Sequence, residues 1–380
     1  MKTPAPRPET DVEHRVTTLE LFFDLVFVFA ITQLTDLLKH ELSSEGLLQV
    51  LLVFGVLWWM YSGYTWLTNT LAPDSSIRRL LLMLGMSGFL VLGLATPGAF
   101  TGDGVIWGVG YLLVVLVHAG LYLQVNPNIL RIVPSNILAA LSVIGAGAAD
   151  GPVVYVLWAL ALAILVLTPF VLRVESSFVL RGAHFVERHG LLVLITFGES
   201  VVAIGFGAAG SELTVPIVGA AVLGLFLVCA MWWTYFVGDD ELAEERMVAA
   251  DDERRTQLAL YYGYAHIPIF VGVIATAAGL KKVIEAAWEP LQSVPAAVAL
   301  AGGVALYLVG DVCFRRVLGI GPYRLRLSAA LLVLATIPLG RWVAEAEVIA
   351  VTTILAGMLV VEHHERAADP TSGSATHRVK

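Results

Sequence analysis

Six side chains able to do acid–base or ion-binding chemistry lie inside long apolar runs: Glu20, Asp24, His118, Glu199, His266 and Asp311. An ionisable group in hydrocarbon costs a few kcal/mol or more, so each is a functional candidate by default. Glu20 and Asp24 are four residues apart in ELFFDLVFVFAITQL and share a helical face, with Thr17 and Thr35 near the same stripe. At 1.5 Å per residue, Asp24 lies roughly 8 Å inside the inner end of its run. Glu20 is near the interface, where the helix dipole alone would favour a carboxylate. Glu199, in ERHGLLVLITFGESVVAIGFG, lies roughly 12 Å in, close to the midplane. Thr196 precedes it on a neighbouring face, and Gly198, Gly205 and Gly207 are expected to allow close helix approach.

Pro268 follows His266 by two residues and cannot donate a backbone hydrogen bond, so it can break its helix beside the imidazole. If the six groups converge, crowded carboxylates would share protons, which is the chemistry of a proton- or cation-coupled site. Two Trp-Trp-x-Tyr sequences add Trp58, Tyr61, Trp232 and Tyr235 to Thr196 as candidate pathway-lining residues. Large aromatics in membrane helices more often serve as packing or interface anchors.

Several chemistries are missing. There is no G-x-x-x-x-G-K-[ST] loop for a self-contained ATP-driven pump and no H-E-x-x-H pair. Every lysine lies outside a run or at its end, which removes a mid-membrane Schiff base, and His184 and His189 are five apart on different faces. No catalytic residue, metal or cofactor is expected; a zinc site built from Glu20, Asp24 and His266 is the alternative left open.

The elements that must position these residues follow from composition. Of 380 residues, 58% are hydrophobic and only 14% charged, and the mean hydropathy is +0.80. Apolar runs near 19–38, 46–70, 78–96, 104–125, 132–149, 152–172, 190–209, 214–237, 256–280, 293–314, 325–343 and 346–362 predict twelve transmembrane helices. Strand-like alternation is missing from these runs, which excludes a membrane β-barrel. With the N-terminus inside, 19 of the 23 Lys and Arg residues fall on the inner side, leaving Lys39, Lys281, Lys282 and Arg341 outside. If the fifth run did not cross, the division would become 9 inside and 14 outside. Twelve helices with both termini in the cytoplasm are therefore expected.

Residues 1–16 are polar and carry no removable signal sequence, and residues 366–380 have the composition of a disordered cytoplasmic tail. Cys229 and Cys313 both fall in apolar runs, so no disulfide framework is implied. The net charge is −8. No basic block with interleaved aromatics occurs, which argues against a nucleic-acid partner.

A repeat appears at an offset of about 175 residues. His14, Leu19, Phe22, Asp24 and Val26 align with His189, Leu194, Phe197, Glu199 and Val201. Trp58-Trp59-Met60-Tyr61 aligns with Trp232-Trp233-Thr234-Tyr235, and Arg78-Arg79 with Arg254-Arg255. Two parallel six-helix repeats, 17–180 and 181–365, are expected, with function at the seam between them.

HRVTTLELFFDLVFVFAITQL resembles the opening of the bacterial low temperature requirement protein A (LtrA) family. HFVERHGLLVLITFGESVVAIG looks like that family's second signature, and YYGYAHIPIFVGVIATAAGL is similar to its later Gly/His segment. The resemblance spans nearly the whole chain. It implies a multi-span bacterial plasma-membrane protein linked by name to growth in the cold, and supplies no agreed activity. Phe22-Phe23-Asp24 and Phe197-Gly198-Glu199 also resemble, by analogy, the Phe-Ser-Asp motif of six-helix-unit lysosomal and bacterial potassium channels. Phe23 and Gly198 replace the serine, and Glu199 the second aspartate.

The expected activity is movement of a proton, monovalent cation or small solute through paired carboxylates Asp24 and Glu199, with the lipid bilayer and a further copy of the chain as the other partners. The alternatives are a membrane-embedded lipid-modifying enzyme, using the same carboxylates and His266 as acid and base, and a non-catalytic stress-related membrane protein.

Overall fold

Large apolar side chains point outward and charged ones inward. Leu25 is 54% exposed while its neighbour Asp24 is 0% exposed. Water would not tolerate this pattern over a whole surface; hydrocarbon requires it. The computed structural model describes residues 16–40, 42–172, 180–209, 212–291, 293–321 and 323–368. The expected N-terminal segment, save Val16, and most of the expected C-terminal tail lie outside the described residues.

The described chain is helical throughout, without strands. Its helices are α1 (Thr18–His40), α2 (Ser44–Thr70), α3 (Ser76–Ala95), α4 (Gly104–Tyr122), α5 (Val133–Gly147), α6 (Pro152–Leu172) and α7 (Gly182–Ala208). They continue with α8 (Val215–Phe236), α9 (Asp239–Ala249), α10 (Asp252–Ala286), α11 (Val294–Leu318), α12 (Arg324–Leu334), α13 (Ile337–Gly340) and α14 (Ala344–Ala368). Ten apolar helical stretches are long enough to cross a membrane, one of them α8 continued into α9. This is a multi-pass membrane protein.

Helix ends follow local chemistry. Ser43, Ser75 and Asp251 accept backbone hydrogen bonds at the starts of α2, α3 and α10. Thr17 and Glu20 form a reciprocal capping box on α1: the Glu20 amide donates to Thr17 Oγ1 at 3.3 Å, and Glu20 Oε2 accepts from the Thr17 amide at 2.9 Å. Between α8 and α9, Gly238 has φ 91°, a turn that a β-carbon would strain.

Two expected spans are shorter than a bilayer crossing. α5 has 15 residues, and the eleventh run divides into α12 and α13. Pro338 lacks the amide that would continue the helical ladder, so the chain closes the break with the tighter bonds Thr336 N to Val333 O and Leu339 N to Thr336 O.

The most enclosed elements, α10 and α11, meet through small residues. A β-carbon on Gly279 would lie 2.6 Å from the Leu300 amide nitrogen, and one on Gly310 would lie 2.6 Å from that of Ile269. Backbones this close are the small-residue packing of membrane helices. Elsewhere α1 packs on α3 and α7 on α10; α4, α5 and α6 pack in series; and α11, α12 and α14 do likewise. α2 lies on α6, and α8 on α14.

Candidate functional site

α1, α2 and α7 enclose a charged network. The Arg188 side chain, completely buried on α7, reaches across to α1. Its Nη2 donates to Asp24 Oδ1 at 3.1 Å and its Nη1 to Glu20 Oε1 at 3.3 Å. Nη1 also bonds Thr68 Oγ1 on α2. Tyr61 donates to Asp24 Oδ1 at 2.9 Å, and His184 Nε2 lies 3.3 Å from Glu20 Oε1. Glu20 therefore has two jobs, with Oε2 capping α1 and Oε1 meeting α7. The second Asp24 oxygen is buried without a hydrogen-bond partner among the described residues. A buried charge survives only when paired and hydrogen-bonded, so the single guanidinium between two carboxylates ties α7 to α1.

Further along the same seam, Glu199 is 6% exposed and accepts from the Thr32 hydroxyl of α1 at 2.6 Å. Both contacts have one sense: moving from Asp24 to Thr32 on α1 corresponds to moving from Arg188 to Glu199 on α7, so the two helices run parallel. The eight residues separating Asp24 from Thr32 span roughly 12 Å. Asp24 and Glu199 thus occupy two levels of one seam rather than one convergent site.

The remaining candidates are dispersed. His266 Nε2 lies 2.9 Å from the Tyr235 hydroxyl and its Nδ1 is 2.8 Å from the Tyr262 carbonyl oxygen. Its ring is 5.1 Å from that of His189. Among the described residues no hydrogen bond or ion pair joins His266 to Glu20 or Asp24, and no group of three His, Cys, Asp or Glu side chains is placed to hold a metal, so the zinc set of Glu20, Asp24 and His266 is not assembled. Asp311 belongs to another buried network, with Asp239, Arg315, Arg326 and Glu362. Arg326 meets Glu362 with paired bonds of 2.9 and 3.0 Å and also bonds Asp311. Arg315 meets Asp239 at 2.6 and 3.0 Å. Three carboxylates around two guanidinia lock α9, α11, α12 and α14 together. His118 stands apart on α4, between Tyr64 and Tyr122.

Of the candidate pathway residues, Tyr61 and Tyr235 place hydroxyls on Asp24 and His266. Trp58 is buried and donates to the Gly263 carbonyl at 3.0 Å, which is a packing role. Trp232 is 38% exposed. Thr196 bonds back to the Leu192 carbonyl within its own helix. Of the three glycines expected to bring α7 close to a neighbour, Gly207 does so against Ile284 and Lys281, while Gly198 and Gly205 face open space.

The chain matches the family model of the bacterial low temperature requirement A protein (LtrA) over residues 15–361. This chain belongs to the LtrA family. One relative, an uncharacterized protein of Rhizobium meliloti (strain 1021), is 28% identical over 329 residues, covering 82% of this chain and 80% of the relative. No solved structure matches. The LtrA match takes in both seam levels and every member of the two arginine networks except Glu362.

Arg188, Arg315 and Arg326 are absent from the candidates drawn from sequence, which counted them among the inner-side charges. Each instead lies within a helix and is at most 1% exposed. Hydropathy ends a span at an arginine, yet a buried guanidinium is tolerated once carboxylates neutralise it. A signal existed for Arg188: it precedes Glu199 by 11 residues, three helical turns, and shares its face.

Proposed function

We propose that this LtrA protein moves protons or monovalent cations along the α1–α7 seam, with Glu199 as the group that takes up and releases the charge. Glu199 carries the reading: it is a carboxylate in the middle of a membrane helix whose partner across the seam is a hydroxyl rather than a cation. Such a group can exchange a proton, or exchange its hydroxyl partner for an ion, without breaking an ion pair. Asp24, bonded to Arg188 of α7 and Tyr61 of α2, serves as the fixed counter-charge that keeps the seam closed at its own level.

The proposal includes twelve crossings in two parallel six-helix halves, 17–180 and 181–365, in the bacterial plasma membrane with both termini cytoplasmic. Corresponding helices have corresponding neighbours: α1 on α3 and α7 on α10, α2 on α6 and α8 on α14. α1 and α7 run in one direction, and the fifth position of each half holds a short helix. Without the three buried arginines, 16 of the remaining 20 basic residues still fall on the inner side.

The test is flux of protons and potassium in proteoliposomes. Glu199→Gln keeps an oxygen for Thr32 and should abolish flux while folding normally. Absence of flux in the unmodified protein across proton and potassium gradients would overturn the proposal.

A further inference from the structure

A cavity of about 120 Å³ lies at the end of the bundle where α2, α4 and α6 finish and α5 and α10 begin. Trp59, Trp66 and Tyr122 supply aromatic wall, and Ser62, Asn136 and Thr256 are among its polar lining residues. None of the lining side chains carries a fixed charge. His118 also lines it. This imidazole is 4% exposed, and among the described residues neither ring nitrogen makes a hydrogen bond of good geometry, the Gly63 backbone being its one polar neighbour. A buried imidazole normally satisfies at least one nitrogen; His266 and His189 each bond a carbonyl oxygen one turn earlier.

The geometry points to a binding site for a neutral, ring-sized amphiphile bearing a hydrogen-bonding oxygen, held by His118 and stacked against Trp59, Trp66 or Tyr122. The volume approaches the ~150 Å³ that accepts a benzene ring in an apolar protein cavity. The uncharged lining disfavours an ion. One donor–acceptor imidazole in a mostly apolar wall suits a hydroxyl or carbonyl on an aromatic or quinoid ring. The ring can come from a soluble phenol or from a tailed quinone in the membrane, which share this chemistry. The site is separate from the α1–α7 seam and does not depend on ion movement.

Phenol, decyl-benzoquinone and toluene would be titrated onto the full chain in lipid nanodiscs, with tryptophan fluorescence as the readout and empty nanodiscs as the blank. His118→Phe preserves an aromatic ring without nitrogens, and Ser62→Phe fills the cavity. Saturable binding of phenol or of the quinone is expected, and His118→Phe should weaken it about fivefold to tenfold, the loss of one hydrogen bond. Toluene, which lacks the oxygen, should be indifferent to His118→Phe, and Ser62→Phe should exclude all three probes. Tighter phenol binding would assign a soluble source, and tighter quinone binding a membrane source. No saturable binding of either oxygen-bearing probe, or binding unchanged in both variants, would overturn the site.

Discussion

Replacing Arg188 by Met removes the cation that stands between Glu20 and Asp24, leaving two carboxylates without a cation at that level of the seam. Orphaning a buried charge in this way costs about 3–5 kcal/mol. Asp24→Asn is milder, because an amide oxygen still accepts from Tyr61 and Glu20 still neutralises Arg188; a loss of about 2 kcal/mol is expected. In the double variant the orphaned aspartate charge no longer exists, so the combined loss should fall short of the sum by about 2 kcal/mol. Denaturant unfolding of the four proteins in one defined micelle, followed by near-UV circular dichroism, measures this coupling. Additivity within about 0.5 kcal/mol would refute the claim that the Asp24–Arg188 pair joins α1 to α7.

Glu199→Gln should behave oppositely, losing flux while changing stability by less than about 1 kcal/mol, since Thr32 retains an acceptor; a large fall in melting temperature would make Glu199 structural. Glu362→Gln takes one charge from Arg326 and Arg315 together and should cost about 2–4 kcal/mol, read as a lowered melting temperature in detergent. Gly279→Leu drives a side chain into Leu300 on α11 and should cost about 3 kcal/mol or prevent folding. Gly198→Ala, which meets open space, should stay within about 0.5 kcal/mol, and the two expression levels in membranes compare them directly.

Hydropathy alone determined that this chain is an all-helical membrane protein, because an apolar run must satisfy its backbone internally and nothing else can. It also located the helices to within a turn at most ends and singled out Glu20, Asp24, Glu199 and Asp311 as costly to bury. Depth along one helix is legible from residue spacing, so Asp24 near one end of its helix and Glu199 deeper on its own were readable. What lies opposite a residue is not. Arg188 meets Asp24 across 164 residues of chain, and Arg326 meets Glu362 across 36. Only the packing of α7 on α1, and of α12 on α14, decides that these arginines are buried partners rather than loop charges. The same holds for the staggered register that sets Glu199 against Thr32 rather than Asp24. A charge in the membrane is tolerated by the sum of its contacts, and that sum exists only once the helices are assembled.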